Sequence, residues 1–163
     1  MSYAACTFFK DRKLSVMATR TWRMTWDDGM SVGIPEIDED HKRFIALVAG
    51  FNQSIAVRVA ITEVQKRLQD IVGDAAEHFA HEERLLNEWR YPGADDHARI
   101  HAQLVEVLQN IKSQISSGYD AEWVEAGLKI KEVLIHHIQT EDMKYAEFYR
   151  NAHGAPATPE SAG

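Results

Sequence analysis

The sequence predicts an all-α protein, an up-down-up-down antiparallel four-helix bundle with an N-terminal loop extension. Three observations predict it. Apolar residues recur at helical spacing along four separate stretches. Short connectors rich in turn-forming residues divide these stretches, so neighbouring helices should run antiparallel. No segment of useful length shows the two-residue alternation of a strand, and there is no internal repeat. At 163 residues the chain makes one domain with room for a sizeable core.

The first helix is expected to open at Asp38 as N-cap, with Glu39 and Asp40 favourable in the first turn. Phe44, Ile45, Val48 and Phe51 form its apolar stripe. The second opens at Thr62 with Gln65 at capping-box spacing and runs through Val64, Leu68, Ile71, Ala75, His78, Glu82, Leu85 and Leu86 to Tyr91-Pro92-Gly93. The third begins near Asp95 or Asp96 and carries Leu104, Val105, Leu108, Ile111 and Ile115, ending at Ser117-Gly118. The fourth opens at Asp120 and carries Trp123, Leu128, Ile130, Val133, Leu134, Ile138, Tyr145 and Phe148. Residues 1–22 show no sustained periodicity and are expected to be disordered. Residues 23–37, with Trp26, Gly29, Gly33 and Pro35, read as an ordered loop entering a domain that spans 23–150. The tail from 151 to 163 is small, polar and proline-containing, and disorder is expected there too.

Composition narrows the function. A formal charge of −7 argues against a nucleic-acid backbone as partner. No apolar run approaches the ~18 residues of a membrane span, and the first residues lack the ordered pattern of a signal peptide. The single cysteine, Cys6, excludes an internal disulfide framework and suits a reducing compartment, so a soluble cytoplasmic protein is the expectation.

The most informative feature is a set of five histidines and two carboxylates on the four helices. His78 and Glu82 are four residues apart, as are His97 and His101, which puts each pair on one helix face. Both pairs lie on the apolar stripe of their helix, where unpaired polar groups would cost kilocalories each. On the last helix His137 stands five residues before Asp142 and four before Glu141. Five residues correspond to ~140° of net rotation, so periodicity alone pairs His137 with Glu141 and leaves Asp142 open. His41 is weak by itself, because a histidine in a first turn is more often a capping or surface residue. Imidazole and carboxylate without thiolate suit iron, manganese or zinc. Seven such groups are too many for one ion. They fit two ions sharing two bridging carboxylates, one ion holding three imidazoles and the other two with an open position for a small molecule.

Here the sequence resembles the hemerythrins, and among them the single-domain bacteriohemerythrins. The matching stretches are Trp26, Val32-Gly33-Ile34, Ile37-Asp38-Glu39-Asp40-His41-Lys42 and His78-Phe79-Ala80-His81-Glu82-Glu83. They continue with Tyr91-Pro92, His97-Ala98-Arg99-Ile100-His101, and His137-Ile138-Gln139-Thr140-Glu141-Asp142 followed by Tyr145, in the family's order over about residues 24–150. The resemblance implies a non-haem di-iron centre, with two Fe ions bridged by Glu82, Asp142 and a solvent-derived oxygen. One iron would take His97, His101 and His137. The other would take His41 and His78 and bind dioxygen reversibly at its open position, so that dioxygen is the partner, no protein partner is specified, and the chain is not an enzyme. Reversible binding needs a dry, apolar pocket, for which Phe44, Phe79, Leu134 and Ile138 are the candidate walls.

One departure stands out. The family often has tryptophan four residues before the last histidine, where this chain has Val133. His81 and His136 match no ligand position and read as surface or outer-shell residues. Two other readings use the same residues. A sensor of oxygen, nitric oxide or redox state would act through a partner protein, since no attached output domain is expected from the short tails. A di-iron oxidase of the ferritin-like kind would need Glu-x-x-His pairs, and no histidine here has a glutamate three residues before it. Sustained substrate turnover would distinguish the oxidase; ligand-dependent capture of a specific partner would distinguish the sensor.

Overall fold

The computed structural model describes residues 24–114 and 121–154. Four helical rods pack into an antiparallel bundle: α1 (Pro35–Ala56), α2 (Ile61–Glu88), α3 (Ala94–Gln114), and a fourth rod made of α4 (Ala121–His137), a π-helical turn (Ile138–Asp142) and α5 (Met143–His153). Helix α1 packs on α2 and α4, and α3 packs on α2 and α4, closing the square. Among the described residues there is no strand. The expected disorder of residues 1–22, the opening of the fourth helix at Asp120 and the end of the third at Ser117-Gly118 fall outside the described residues.

Helix boundaries differ from the expected ones where backbone chemistry overrides side-chain signals. Helix α1 starts at Pro35, not after Asp38, with Ile34 as N-cap and no side-chain cap. Proline suits a first helical position because its missing N–H would have had no intrahelical partner. Asp38 serves the loop instead: its carboxylate accepts the Val32 N–H at 2.8 Å and the Ser31 hydroxyl at 2.6 Å. Helix α2 begins at Ile61 with no capping-box bond from Thr62. The Glu63 and Val64 amides donate to the Ala60 carbonyl at 2.9 and 3.3 Å. Arg58 and Arg90 take left-handed φ values of 55° and 54° at the ends of α1 and α2, positions that usually fall to glycine. The last helix runs on to His153, past the expected boundary at 151, and ends at Gly154, whose φ of 83° and N–H bond to the Arg150 carbonyl stop it.

The core comes in two pieces. The larger holds Phe44, Val48, Phe51, Leu68, Ile71, Phe79, Leu108, Trp123, Ile130 and Leu134 among others. The smaller holds Val32, Ile34, Ile37, Leu85, Leu86, Tyr145 and Ala146. The entry loop touches both. Met24 and Trp26 lean on the larger cluster, Val32 and Ile34 belong to the smaller, and the short 3-10 turn Asp28–Met30 packs against the π turn.

Close approach of α1 and α4 depends on Gly127. A Cβ there would collide with the amide oxygen of Asn52, which is 2% exposed, and would stand 3.6 Å from the Phe51 ring. Alanine would gain ~1 kcal/mol of helix propensity, whereas overpacking costs ~1–3 kcal/mol. Gly127→Ala should therefore lower the denaturation midpoint. A midpoint at or above that of the wild type would show that the Asn52 amide swings aside at no cost.

Candidate metal centre

Between the two apolar clusters lies a polar layer to which every helix of the bundle contributes. On α1, His41 falls between Ile37 of the smaller cluster and Phe44 of the larger. On α2, His78 and Glu82 fall between Ala75 of the larger cluster and Leu85 of the smaller. His97 and His101 on α3 precede Leu104, and His137 and Asp142 on the fourth rod separate Leu134 from Tyr145. All seven side chains are at most 3% exposed.

The π turn settles what periodicity left open. Its wider winding absorbs one residue, so Asp142 comes round beneath His137, with Oδ1 3.0 Å from Nε2. Thr140 supports the widened turn by donating its hydroxyl to the His136 carbonyl at 2.7 Å. Glu141 points outward and pairs with Lys144 Nζ at 2.6 Å. The energies favour this arrangement: a lost backbone hydrogen bond costs ~1 kcal/mol, a buried charge without its partner ~3–5 kcal/mol.

The two carboxylates divide the imidazoles. Glu82 Oε1 faces His41 Nε2 at 3.5 Å and His78 Nε2 at 3.6 Å; its Oε2 faces His101 Nε2 at 3.2 Å and His97 Nε2 at 3.5 Å. Asp142 repeats the division, with Oδ2 3.3 Å from His41 Nε2 and Oδ1 3.4 Å from His97 Nε2. Two donor sets result, Glu82, His97, His101, His137 and Asp142 in one and His41, His78 and Glu82 in the other, each with its donor atoms within 4.8 Å of one another.

The charges in this layer set burial against ion pairing. Burial opposes ionisation of Glu82, but His78, His101, His41 and His97 outweigh it and hold its pKa well below the ordinary value. Burial and the nearby Glu82 both raise Asp142, yet His137 and His41 bring it below normal. Burial lowers the His41 imidazole, but Asp142 and Glu82 win and push it up to about 9. His137 rises in the same way against burial, through Asp142, while burial pulls His78 down. Without metal, the nearby carboxylates favour the protonated form of His41 and of His137. Several donor atoms still lack hydrogen bonds. His41 Nε2 and both Asp142 oxygens have no hydrogen-bond partner, since their mutual ion-pair distance comes without hydrogen-bond geometry. His101 Nε2 and His137 Nε2 converge to 3.0 Å. Nitrogen and oxygen donors without thiolate, aimed inward and short of hydrogen, fit hard or borderline divalent metals such as iron.

The surroundings are apolar on the inside and polar just outside. Phe79 stacks on His101 with ring centroids 4.0 Å apart and meets His137 edge-on at 5.8 Å. Phe44, Leu134 and Ile138 are each at most 3% exposed. Tyr145, whose phenol is held protonated by burial and by Glu82, donates a short hydrogen bond to Glu82 Oε1. Sequence reasoning did not single out this contact, which runs between α2 and α5. His81 is half-buried against Asp40 and Glu36, and His136 is exposed. Between α3 and α4 a cavity of about 270 Å³ is lined by Ile100, Leu104, Val133, His136, His137 and Glu141, so the space beside Val133 reaches a histidine of the polar layer.

Comparison with known proteins agrees with the geometry. The family model described as Hemerythrin HHE cation binding domain matches residues 32–149. The chain is 29% identical over 126 residues to the bacteriohemerythrin of Stenotrophomonas maltophilia, covering 76% of this chain and 80% of that protein. It is 29% identical over 121 residues to the myohemerythrin of Theromyzon tessulatum, covering 74% and 88%. It is 26% identical over 142 residues to the bacteriohemerythrin of Pseudomonas aeruginosa, covering 86% and 90%.

The orientation of the two adjacent acids leads to a direct test. Asp142→Asn removes charge from between the two donor sets, whereas Glu141→Gln breaks only a surface pair worth ~0–1 kcal/mol. Metal analysis of the purified variants should show a clear loss of bound metal for the first and wild-type content for the second. The reverse order would mean that the π turn does not persist in solution.

Proposed function

This chain belongs to the hemerythrin HHE cation-binding family, and on that premise we propose that it binds dioxygen reversibly at a non-haem di-iron centre, as a carrier and not as an enzyme. The observation that supports this most directly is the division of the polar layer into a three-imidazole and a two-imidazole set by two shared carboxylates. When bound, two iron ions supply the electrons that make dioxygen binding possible and reversible. His97, His101 and His137 would hold one ion, His41 and His78 the other. Glu82 and Asp142 would serve both, because each turns one oxygen toward either set. The set with one imidazole fewer leaves room for the gas.

The remaining parts of the chain protect that site. Apolar clusters above and below keep water from the polar layer and strengthen the electrostatics inside it. Phe79 walls off the face of His101 and abuts His137, with Phe44, Leu134 and Ile138 as further apolar walls. Tyr145 fixes Glu82 with a donor that keeps its own proton. No described helix is long and apolar enough to cross a membrane. A cytoplasmic setting is part of this reading and rests on the single cysteine.

Iron-supplied protein should contain two irons per chain, and the reduced form should develop a visible absorption band in air that disappears under vacuum or inert gas. One iron per chain, stoichiometric zinc alone, or no reversible band would overturn the proposal.

The cavity at Val133 bears on how long the oxygenated form lasts. Water entering there reaches His137, so Val133→Trp should slow decay of the oxygenated band, provided the ring fits within about 270 Å³. Leu134→Ala should open the wall and speed decay. Stopped-flow oxygenation followed over hours measures both, and equal decay in all three proteins would exclude gating by this wall.

A further inference from the structure

We propose that Glu83 and Asp40 position two of the metal-binding imidazoles, His101 and His78, one in each donor set. This rests on the di-iron reading above. An imidazole offers a metal only one of its nitrogens, and what the other nitrogen bonds to fixes the tautomer and the ring angle. His101 Nδ1 lies 3.0 Å from Glu83 Oε1. An ionised carboxylate only accepts, so Nδ1 carries the proton and the Nε2 lone pair is left facing the polar layer. Stacking on Phe79 holds the same ring from its flat side.

Asp40 stands behind His78. Its Oδ2 is 3.7 Å from His78 Nδ1, a buried nitrogen with no hydrogen-bond partner. That separation is an ion-pair contact and not a hydrogen bond, with the carboxylate the nearest charged group to that nitrogen. The carboxylate is held from two sides. His81 Nδ1 lies 2.7 Å from Oδ2, Arg43 Nη1 lies 2.7 Å from Oδ1, and Arg43 is itself anchored by Asp74 at 2.7 Å. Glu36 takes the far nitrogen of His81 at 3.3 Å. These groups come from both α1 and α2, so the ladder that joins the two helices also aims a carboxylate at the ligand histidine. His81, which matches no ligand position, acquires a role as the group that orients Asp40. His41 and His137 share with His78 a buried Nδ1 that has no hydrogen-bond partner.

The test is competition for iron between the loaded full-length protein and a chelator, with the visible spectrum followed throughout. Glu83→Ala and Asp40→Ala should each weaken one of the two irons by about 10–100-fold and make the release biphasic. Glu83→Gln, which keeps an acceptor but loses the charge, should fall between wild type and Glu83→Ala. Metal-free Glu83→Ala should melt with the metal-free wild type, separating ring positioning from general stability. Glu77→Ala, an exposed acid on the same helix, should leave both irons at wild-type affinity. Wild-type affinity in Glu83→Gln and Asp40→Ala, or an equal loss in Glu77→Ala, overturns the inference while leaving two irons bound to the wild type. A wild type that binds no iron overturns the di-iron reading itself, and this inference with it.

Discussion

Two carboxylates buried in the middle of a bundle impose the constraint from which the rest of this structure follows. Glu82 and Asp142 have no access to water and stand close enough for Glu82 to raise the pKa of Asp142. Such a pair is tolerable only where positive charge is gathered around it. Five imidazoles meet that need, and they can do so only if each helix presents them at the same height. The common height explains why the apolar core is cut in two. It also explains the position of the entry loop, which adds apolar side chains to both halves and covers the turn that delivers Asp142.

The same constraint orders the layers outward from the centre. The innermost atoms are Nε2 nitrogens and carboxylate oxygens with few hydrogens among them. Next come groups that steer these atoms without joining them: the Tyr145 phenol on Glu82, the Glu83 carboxylate on His101, and the Phe79 ring across the His101 face. Outside those lies the ion-pair ladder of Arg43, Asp40 and Asp74, partly solvated and contributing little to stability on its own account. Precision at the centre thus comes from groups whose individual energies are small. Much of the molecule's surface chemistry on α1 and α2 makes sense as support for what lies beneath it.

What could be read from the sequence depended on whether a relation stayed within one regular helix. His78 with Glu82 and His97 with His101 were legible because four residues in an α-helix return to the same face. His137 with Asp142 was not, since the winding changes between them and a 100° step no longer applies. The start of α1 was misjudged because Asp38 has the chemistry of a cap but spends it on Ser31 and Val32, while Pro35 begins the helix by backbone geometry alone. Contacts such as Tyr145 to Glu82 or Asp40 to His78 join different helices, and no spacing rule reports which rotamers meet across an interface. Val133 was legible only as a small residue, and its cavity depends on how Ile100 and Leu104 pack opposite it.

The π turn has a consequence for how this rod can vary. Counting from α4, α5 sits one residue out of phase with an uninterrupted helix, yet both segments bury their own apolar stripes without strain. The turn works as a gear change. The segment before it is meshed with the larger cluster and the segment after it with the smaller, and neither must share the other's phase. A rod built this way separates two requirements that a straight helix would couple: the packing of each end against its neighbours, and the angle at which one acid enters the centre. Substitutions that rotate or repack one end of the bundle can therefore accumulate without turning Asp142 away, because the irregular turn between them absorbs the difference.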